Sequence, residues 1–236
     1  MTKKKDILNV TEEEFENYWE DTLQKSTRKL EEREAKSSFA GKKKRRKIEL
    51  NQYPGDREFD KILHEIGLSV DPLIMKSLFR DKIELGQVCG YKEVLGEVLP
   101  EHNIFLDENE FKTFLEYYLS LWNSLAAEYK EGRRKTSEKS RVLRKKCLDM
   151  LLSNVKFIRE LDKQHIEPDK LPQDLIKMLM EGDSMVQGVL ALMENKPEEA
   201  DKPEAEDVLK RLGEIEFATD KIKSDINKEL GIQLKH

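Results

Sequence analysis

Cysteine is scarce in this chain, and long apolar stretches are missing. Cys89 and Cys147 are the only cysteines among 236 residues, which is too few for a disulfide scaffold, and they are not spaced as a metal-binding pair. No uninterrupted apolar run exceeds Val189–Met193, far below the ~20 residues that cross a bilayer. The N-terminus alternates charge and lacks the apolar core of a secretory signal. We therefore expect an intracellular protein, cytoplasmic or nuclear, without membrane contact.

Catalytic and cofactor motifs are also missing. The sequence contains no phosphate-binding glycine loop, nucleophile elbow or dinucleotide fingerprint. Asp60 and His64 have the spacing of half a metal site, but no second pair follows. Cys89 would need His64 or His102 beside it to act as a nucleophile, and the more ordinary reading of both cysteines is as small buried hydrophobes. We expect no enzyme, no cofactor and no metal site.

Charged residues are abundant, at 39% of the sequence, while hydrophobic residues make up 37%. About 25% charged residues is usual for a globular domain, so much of the chain must be solvated surface. The formal net charge of −5 means that the molecule as a whole repels phosphate. Any contact with nucleic acid would therefore have to be local.

Residues 1–50 are predicted to form an arm with one amphipathic helix and a flexible basic segment. Thr11 and Glu14 form a capping box, and apolar residues then follow helical spacing: Phe15, Tyr18, Trp19, Leu23 and Leu30. Seven cations without an acid occur between residues 36 and 47. Six of them are consecutive and are candidate phosphate or partner contacts: Lys42, Lys43, Lys44, Arg45, Arg46 and Lys47.

Residues 51–195 are predicted to form a helical body. Asp71 followed by Pro72 marks one helix start. A 3.6-residue apolar period begins near Asp107 and Glu110 and continues to Tyr129, and a second long helix begins at a cap on Thr136 or Ser137. We expect residues 107–164 to pair as an antiparallel hairpin. The predicted fold is an all-α, irregular multi-helix bundle around this long hairpin, with helical terminal arms.

The C-terminal third is predicted to hold two short helices, a linker and a last helix. Pro168 and Pro172 precede the first short helix, and Asp183 or Ser184 caps the second. Between Glu194 and Asp207 seven acids and two prolines favour a linker. Residues 196–236 thus read as an acidic linker and an amphipathic helix over about 204–230. Its apolar line is heptad-like but too short and interrupted for a confident coiled coil: Val208, Leu212, Ile215, Ile222 and Ile226.

A second basic cluster lies at the tip of the predicted hairpin. Its candidate contacts for a phosphate or an acidic partner are Arg133, Arg134, Lys135, Arg141, Arg144 and Lys145. Cations at the start of a helix oppose the helix dipole by a few tenths of a kcal/mol each, so acidic groups must compensate them. Those groups belong either to an external partner or to the chain itself, and the sequence leaves both readings open.

The stretch Leu85–Leu99 has glycines spaced as in a helix-turn-helix motif. Its second helix would carry Glu93 and Glu97 against the single cation Lys92, and acids facing phosphate are costly. A close helix crossing, or a bend between two short helices, accounts better for the glycines.

These patterns favour a non-enzymatic helical interaction protein. It would dock onto a larger assembly of other proteins through its terminal amphipathic helices and the basic hairpin tip, since narrow apolar stripes are not stable alone in water. The alternative is a nucleic-acid-associated protein that contacts DNA or RNA phosphates through the basic clusters 36–47 and 130–146.

Overall fold

The structure is a computed structural model that describes residues 52–87, 89–99, 108–132, 136–164, 166 and 170–231. In these ranges the chain forms α-helices and one 3-10 helix, and no strand. The α-helices are α1 (Asp56–Glu65), α2 (Pro72–Glu84), α3 (Gly90–Val98), α4 (Glu108–Lys130), α5 (Glu138–Lys163), α6 (Gln173–Asn195) and α7 (Glu204–Glu229); the 3-10 helix is Pro197–Asp201. The all-α class predicted from the sequence is confirmed.

The chain divides into two compact units, and neither is a continuous segment. The first takes in the described residues of Met1–Gly67 and Lys82–Arg133, and the second those of Leu68–Asp81 and Arg134–His236. Helices α4 and α5 thus belong to different units, and their predicted antiparallel pairing stays a prediction. Trp122 in α4 and Leu151 in α5, at the centres of their apolar stripes, are 0% and 2% exposed.

Aromatic residues form the core of the first unit. The ring of Phe59 in α1 stacks on Tyr117 in α4, with 6.0 Å between ring centroids. The hydroxyl of the next residue, Tyr118, donates to the Tyr91 carbonyl oxygen at 2.6 Å, and one turn further along α4 the Tyr91 ring meets Trp122 edge-on at 5.5 Å. The hydroxyl of a buried tyrosine needs such an acceptor, so these contacts fix α3 against α4.

The glycines between α2 and α3 serve a turn and a close crossing. Gly86 ends α2 with φ +71°, a conformation that glycine adopts without strain. A Cβ on Gly90 would lie 2.5 Å from the Lys82 Cβ, so only glycine allows α3 to start this close to α2. The Lys82 ammonium then bonds Glu93 at 2.9 Å and lies 3.3 Å from Glu97. The acids of the would-be recognition helix thus pair within the unit.

Three long helices pack together in the second unit. Helix α5 packs on α6 and α7, and α6 packs on α7. The Ser137 hydroxyl accepts from the Ser140 backbone N–H and caps α5, so one of the two predicted caps is confirmed. The apolar core at one end of this bundle consists of Phe157, Leu161, Leu179, Ile222 and Ile226.

Two parts of the second unit differ from the prediction. Helix α6 runs unbroken through Gly182 and Asp183, where the sequence predicted an end and a new cap. The acidic stretch between Glu194 and Asp207 contains the 3-10 helix and the first turn of α7, and Ala200 in it is fully buried. Ala205 in the same stretch is also buried, whereas Glu198 and Asp201 of the 3-10 helix are exposed. Small apolar residues thus pack against the bundle while these acids stay in solvent.

Candidate interaction surface

A partly buried polar cluster joins α5, α6 and α7. The Asn154 amide donates to the Asp183 carboxylate, and the Lys223 ammonium donates to the Ser153 hydroxyl at 2.9 Å. Burial raises the pKa of Asp183 above its ordinary value, although the Asn154 hydrogen bond and the charge of Lys223 act in the opposite direction. Asn154 and Lys223 are buried, whereas Asp183 is half-buried and Ser153 is exposed. The hydrogen bonds of the cluster help to fix how the three helices face each other.

A second polar cluster connects the segment 68–81 to the end of α6. Glu194 is 8% exposed, and its carboxylate accepts from the Ser77 hydroxyl at 2.9 Å and from Arg80 Nε at 2.7 Å. A buried carboxylate needs both charge compensation and hydrogen bonds, and these two partners supply them. This cluster belongs to the interior of the second unit.

The outer surface of α6 carries large apolar side chains in a regular line. Met178, Met185 and Leu192 follow one another at intervals of seven residues and are 51%, 60% and 40% exposed. Seven residues are two helical turns, so the three side chains share one face. On the neighbouring face of the helix, Leu179, Val186 and Leu190 are buried.

This line lies along the edge where α6 meets α7. Gly182 lies four residues after Met178 and three before Met185, and a Cβ on it would be 2.9 Å from Thr219 Cγ2 and 3.8 Å from Ile215 Cγ2. The two methionines therefore flank a close approach of the helices. On α7, half-buried Ile215 lies at this approach, and exposed Ala218 lies three residues further along the helix. We call this surface, formed by Met178, Met185, Leu192, Ile215 and Ala218, the methionine patch.

Carboxylates and cations are equal in number beside the methionine patch. The charged residues three or four positions from its members are Asp174, Glu181, Lys196, Arg211, Glu214 and Lys221. The patch therefore combines an apolar centre with a rim of balanced charge.

Several cations of the second basic cluster pair with acids of the same chain. Arg141 bonds Glu138, Lys145 lies 3.3 Å from Asp149, and the neighbouring Lys146 bonds Glu216 of α7. Arg144 is fully buried and offers no surface to a phosphate. Glu138, Asp149 and Glu216 thus supply negative charge to part of this cluster from within the chain.

The remaining predicted contacts lie outside the described residues. They are Lys42, Lys43, Lys44, Arg45, Arg46, Lys47, Arg133, Arg134 and Lys135. The N-terminal helix predicted from Thr11 also lies outside this range. Its proposed role is therefore taken from the sequence alone.

The candidate nucleophiles occupy unremarkable positions. Cys147 is buried, as predicted, and burial raises the pKa of its thiol to about 12. The prediction that Cys89 is buried is wrong, because this residue precedes α3 in an exposed turn. His64 lies in the last turn of α1, and His102 is outside the described residues. Nowhere in the described ranges do three histidine, cysteine or acidic side chains cluster as metal ligands would.

The sequence contained a signal for the methionine patch that the prediction did not use. Reading Asp183 or Ser184 as a cap divided α6 into two short helices, and the seven-residue spacing of Met178, Met185 and Leu192 crosses that division. In the continuous helix the seven-residue spacing is regular. It can be recognised in the sequence only if Gly182 is interpreted as a packing residue within the helix and not as a helix end.

Comparisons with known proteins do not add to this description. No protein family, curated protein or solved structure matches the chain. Within the described residues, no helix has the length and apolarity of a membrane span.

Proposed function

We propose that this chain is a non-enzymatic interaction protein that docks onto other proteins of a larger assembly through apolar helix faces. The observation that supports it is the methionine patch, where three large apolar side chains are exposed on a helix whose neighbouring face is buried. A single exposed apolar residue is ordinary, but an ordered line of them is typical of binding surfaces. Methionine adapts to partner surfaces of different shape because its side chain is unbranched and polarisable.

The docking elements are the N-terminal helix and the methionine patch. The N-terminal helix keeps the role given by its stripe of Phe15, Tyr18, Trp19, Leu23 and Leu30. The C-terminal helix α7 uses its own apolar line internally, since Leu212, Ile222 and Ile226 are buried. Its part in docking is therefore the edge that it shares with α6. The basic hairpin tip contributes through its cations outside the described residues.

Affinity purification of the intact chain, with and without nuclease and at low and raised salt, tests this function. We expect protein partners that persist after nuclease treatment and at raised salt, because apolar contacts are not screened. Trp19→Gln together with Leu23→Gln should reduce their recovery, whereas the matched pair Lys43→Gln and Lys44→Gln should not.

Two results would contradict the proposal. Recovery of nucleic acid that is lost steeply with salt and with the lysine variants would favour the alternative, phosphate contact through the basic clusters. Recovery of no macromolecule in stoichiometric amount would exclude both functions.

A further inference from the structure

We infer that α6 carries a site of reversible oxidation, at which hydrogen peroxide converts the thioethers of Met178, Met180 and Met185 to sulfoxides in the folded protein. A sulfoxide is polar, so the methionine patch loses apolar character on oxidation and regains it on reduction. The inference rests on the proposed function only where it concerns docking through the patch, since the chemical change itself needs no partner.

The methionines of the described residues divide into two groups by exposure. Those of the first group lie on α6 and are more than half exposed: Met178 at 51%, Met180 at 66% and Met185 at 60%. Those of the second group are buried: Met75, Met150 and Met193. Peroxide must contact a thioether to oxidise it, so it reaches the first group in the native state and the second group only through local unfolding.

Met193 provides a comparison on the same helix. It is 2% exposed, and its sulfur accepts a hydrogen bond from the Ser140 hydroxyl at 3.9 Å. Burial excludes the oxidant, and the hydrogen bond withdraws electron density from the sulfur that would attack it. Met180 and Met193 share α6 and differ in packing, so a difference between their oxidation rates reports the packing of the native state.

The oxidation step balances with hydrogen peroxide as the only co-reactant. The thioether sulfur attacks one peroxide oxygen, the O–O bond breaks, and the leaving hydroxide takes the proton of the transferred oxygen to form water. The sulfur loses two electrons and the peroxide gains them. A sulfoxide reductase with a dithiol reverses the change: the oxygen leaves as water and the dithiol becomes a disulfide.

The fold accepts a sulfoxide at each of the three exposed positions. The core side chains of α6, among them Val186 and Leu190, lie on the neighbouring face of the helix. An oxygen added to a side chain that is more than half exposed is solvated, whereas the same oxygen on fully buried Met75 would be a polar group in the core. We therefore expect the oxidised protein to remain folded, which its thermal melt checks.

Two measurements on the intact chain test the inference. Peptide mass spectrometry after timed peroxide treatment locates the sulfoxides, and we expect the three exposed methionines to react at least about tenfold faster than the three buried ones. Hydrophobic-interaction chromatography on a phenyl resin measures the apolar surface. The retention time of the oxidised wild type should fall, and sulfoxide reductases for both sulfoxide epimers, with a dithiol, should restore it.

A leucine variant provides the matched control. Leucine in place of Met178, Met180 and Met185 keeps these positions apolar and cannot be oxidised, so peroxide should leave the retention time of the triple variant nearly unchanged. Cys89 is exposed and is also open to peroxide, but it is present in the wild type and in the variant. The difference between the two proteins therefore reports the three methionines alone.

Three results would overturn the inference. They are equal oxidation of exposed and buried methionines in the folded protein, a retention time that oxidation does not change, and a loss of retention that the reductases do not reverse or that the triple variant shares.

The consequence for docking is tested separately. Oxidation should lower the recovery of protein partners by the wild type and by Met180→Leu, which lies outside the patch, but not by Met178→Leu with Met185→Leu. Partners that depend on Trp19 and Leu23 and are recovered equally after oxidation would overturn control of docking and leave the proposed function intact. If the untreated chain recovers no partner, the proposed function fails, and the sulfoxide positions and retention times still decide the inference.

Discussion

Two glycines of α6 differ in the space around them, since Gly182 is crowded and Gly188 is open. A Cβ on Gly182 would lie 2.9 Å from Thr219 Cγ2, closer than side chains normally approach, whereas a Cβ on Gly188 would meet nothing within 4 Å. The Thr219 side chain cannot simply turn away, because its hydroxyl donates to the Glu216 carbonyl oxygen at 2.9 Å. Gly182 therefore has a packing role, and Gly188 has only the low helix propensity of glycine.

We expect alanine to act in opposite directions at these two positions. Gly188→Ala should raise the free energy of unfolding by about 0.5–1 kcal/mol through helix propensity. Gly182→Ala gains the same propensity but overpacks the contact with Thr219, at a cost of about 1–3 kcal/mol, so its net effect is a loss. Urea unfolding of both variants gives the comparison. Equal stabilisation by the two substitutions would show that α6 and α7 do not approach closely at Gly182.

The roles of these glycines could not be predicted from the sequence. Glycine followed by aspartate and serine has the composition of a helix end and a new cap, and the prediction read Gly182–Ser184 in that way. The contact that gives Gly182 its role is with Thr219, which is distant in the chain. Local patterns report conformational preference, and they do not report which distant side chain occupies the space beside a backbone.

Helix positions were more predictable than helix partners. The caps at Asp71 and Ser137 and the 3.6-residue periods of α4 and α5 are local features, and the helices begin and end close to where these features placed them. Asp183 shows what such local features cannot predict. Its side chain suits a cap, yet it lies mid-helix and bonds Asn154, because the cluster with Lys223 and Ser153 gives it partners that the sequence does not reveal.

The half-buried position of Asp183 predicts a pH dependence of stability. Its pKa in the folded protein is above the ordinary value of 3.8, chiefly because burial disfavours the charged form. The folded state therefore binds this proton more tightly than the unfolded state. The contribution of Asp183 to stability falls as pH rises from 3.8 through the raised pKa.

Asp183→Asn removes this titration and keeps the shape of the side chain. The free energy of unfolding of the variant minus that of the wild type should increase as pH rises across this range, because only the wild type loses stability through this group. Urea unfolding of both proteins at a series of pH values measures the difference. A difference that stays constant or decreases with pH would mean that Asp183 does not carry a raised pKa in the folded state.

At the scale of the whole molecule, the division into two units is the feature that could least be predicted from the sequence. The segment 68–81 belongs to the same unit as α5, α6 and α7, although the chain between them contributes to the other unit. Apolar periodicity identifies α2 as a helix but gives no information about which helices it joins. Ser77, Arg80 and Glu194 provide the connection, and as isolated residues they resemble ordinary helix-surface positions.

The ion pair between Arg80 and Glu194 should therefore be worth more than its exposed counterparts. The two side chains are only 12% and 5% exposed, so removing one partner leaves the other charge in a poorly solvated place. We expect Arg80→Gln and Glu194→Gln each to lower the free energy of unfolding by about 2–4 kcal/mol, and the double variant to lose clearly less than their sum, with a coupling of at least about 1 kcal/mol. The same set of two single variants and one double variant at the exposed pair of Lys145 and Asp149 is the control. We expect a coupling energy of about 0.5 kcal/mol or less for that pair. Additive losses at Arg80 and Glu194 would show that the segment 68–81 is held by its apolar contacts alone, with Met75 and Phe79, both fully buried, as the residues to change next.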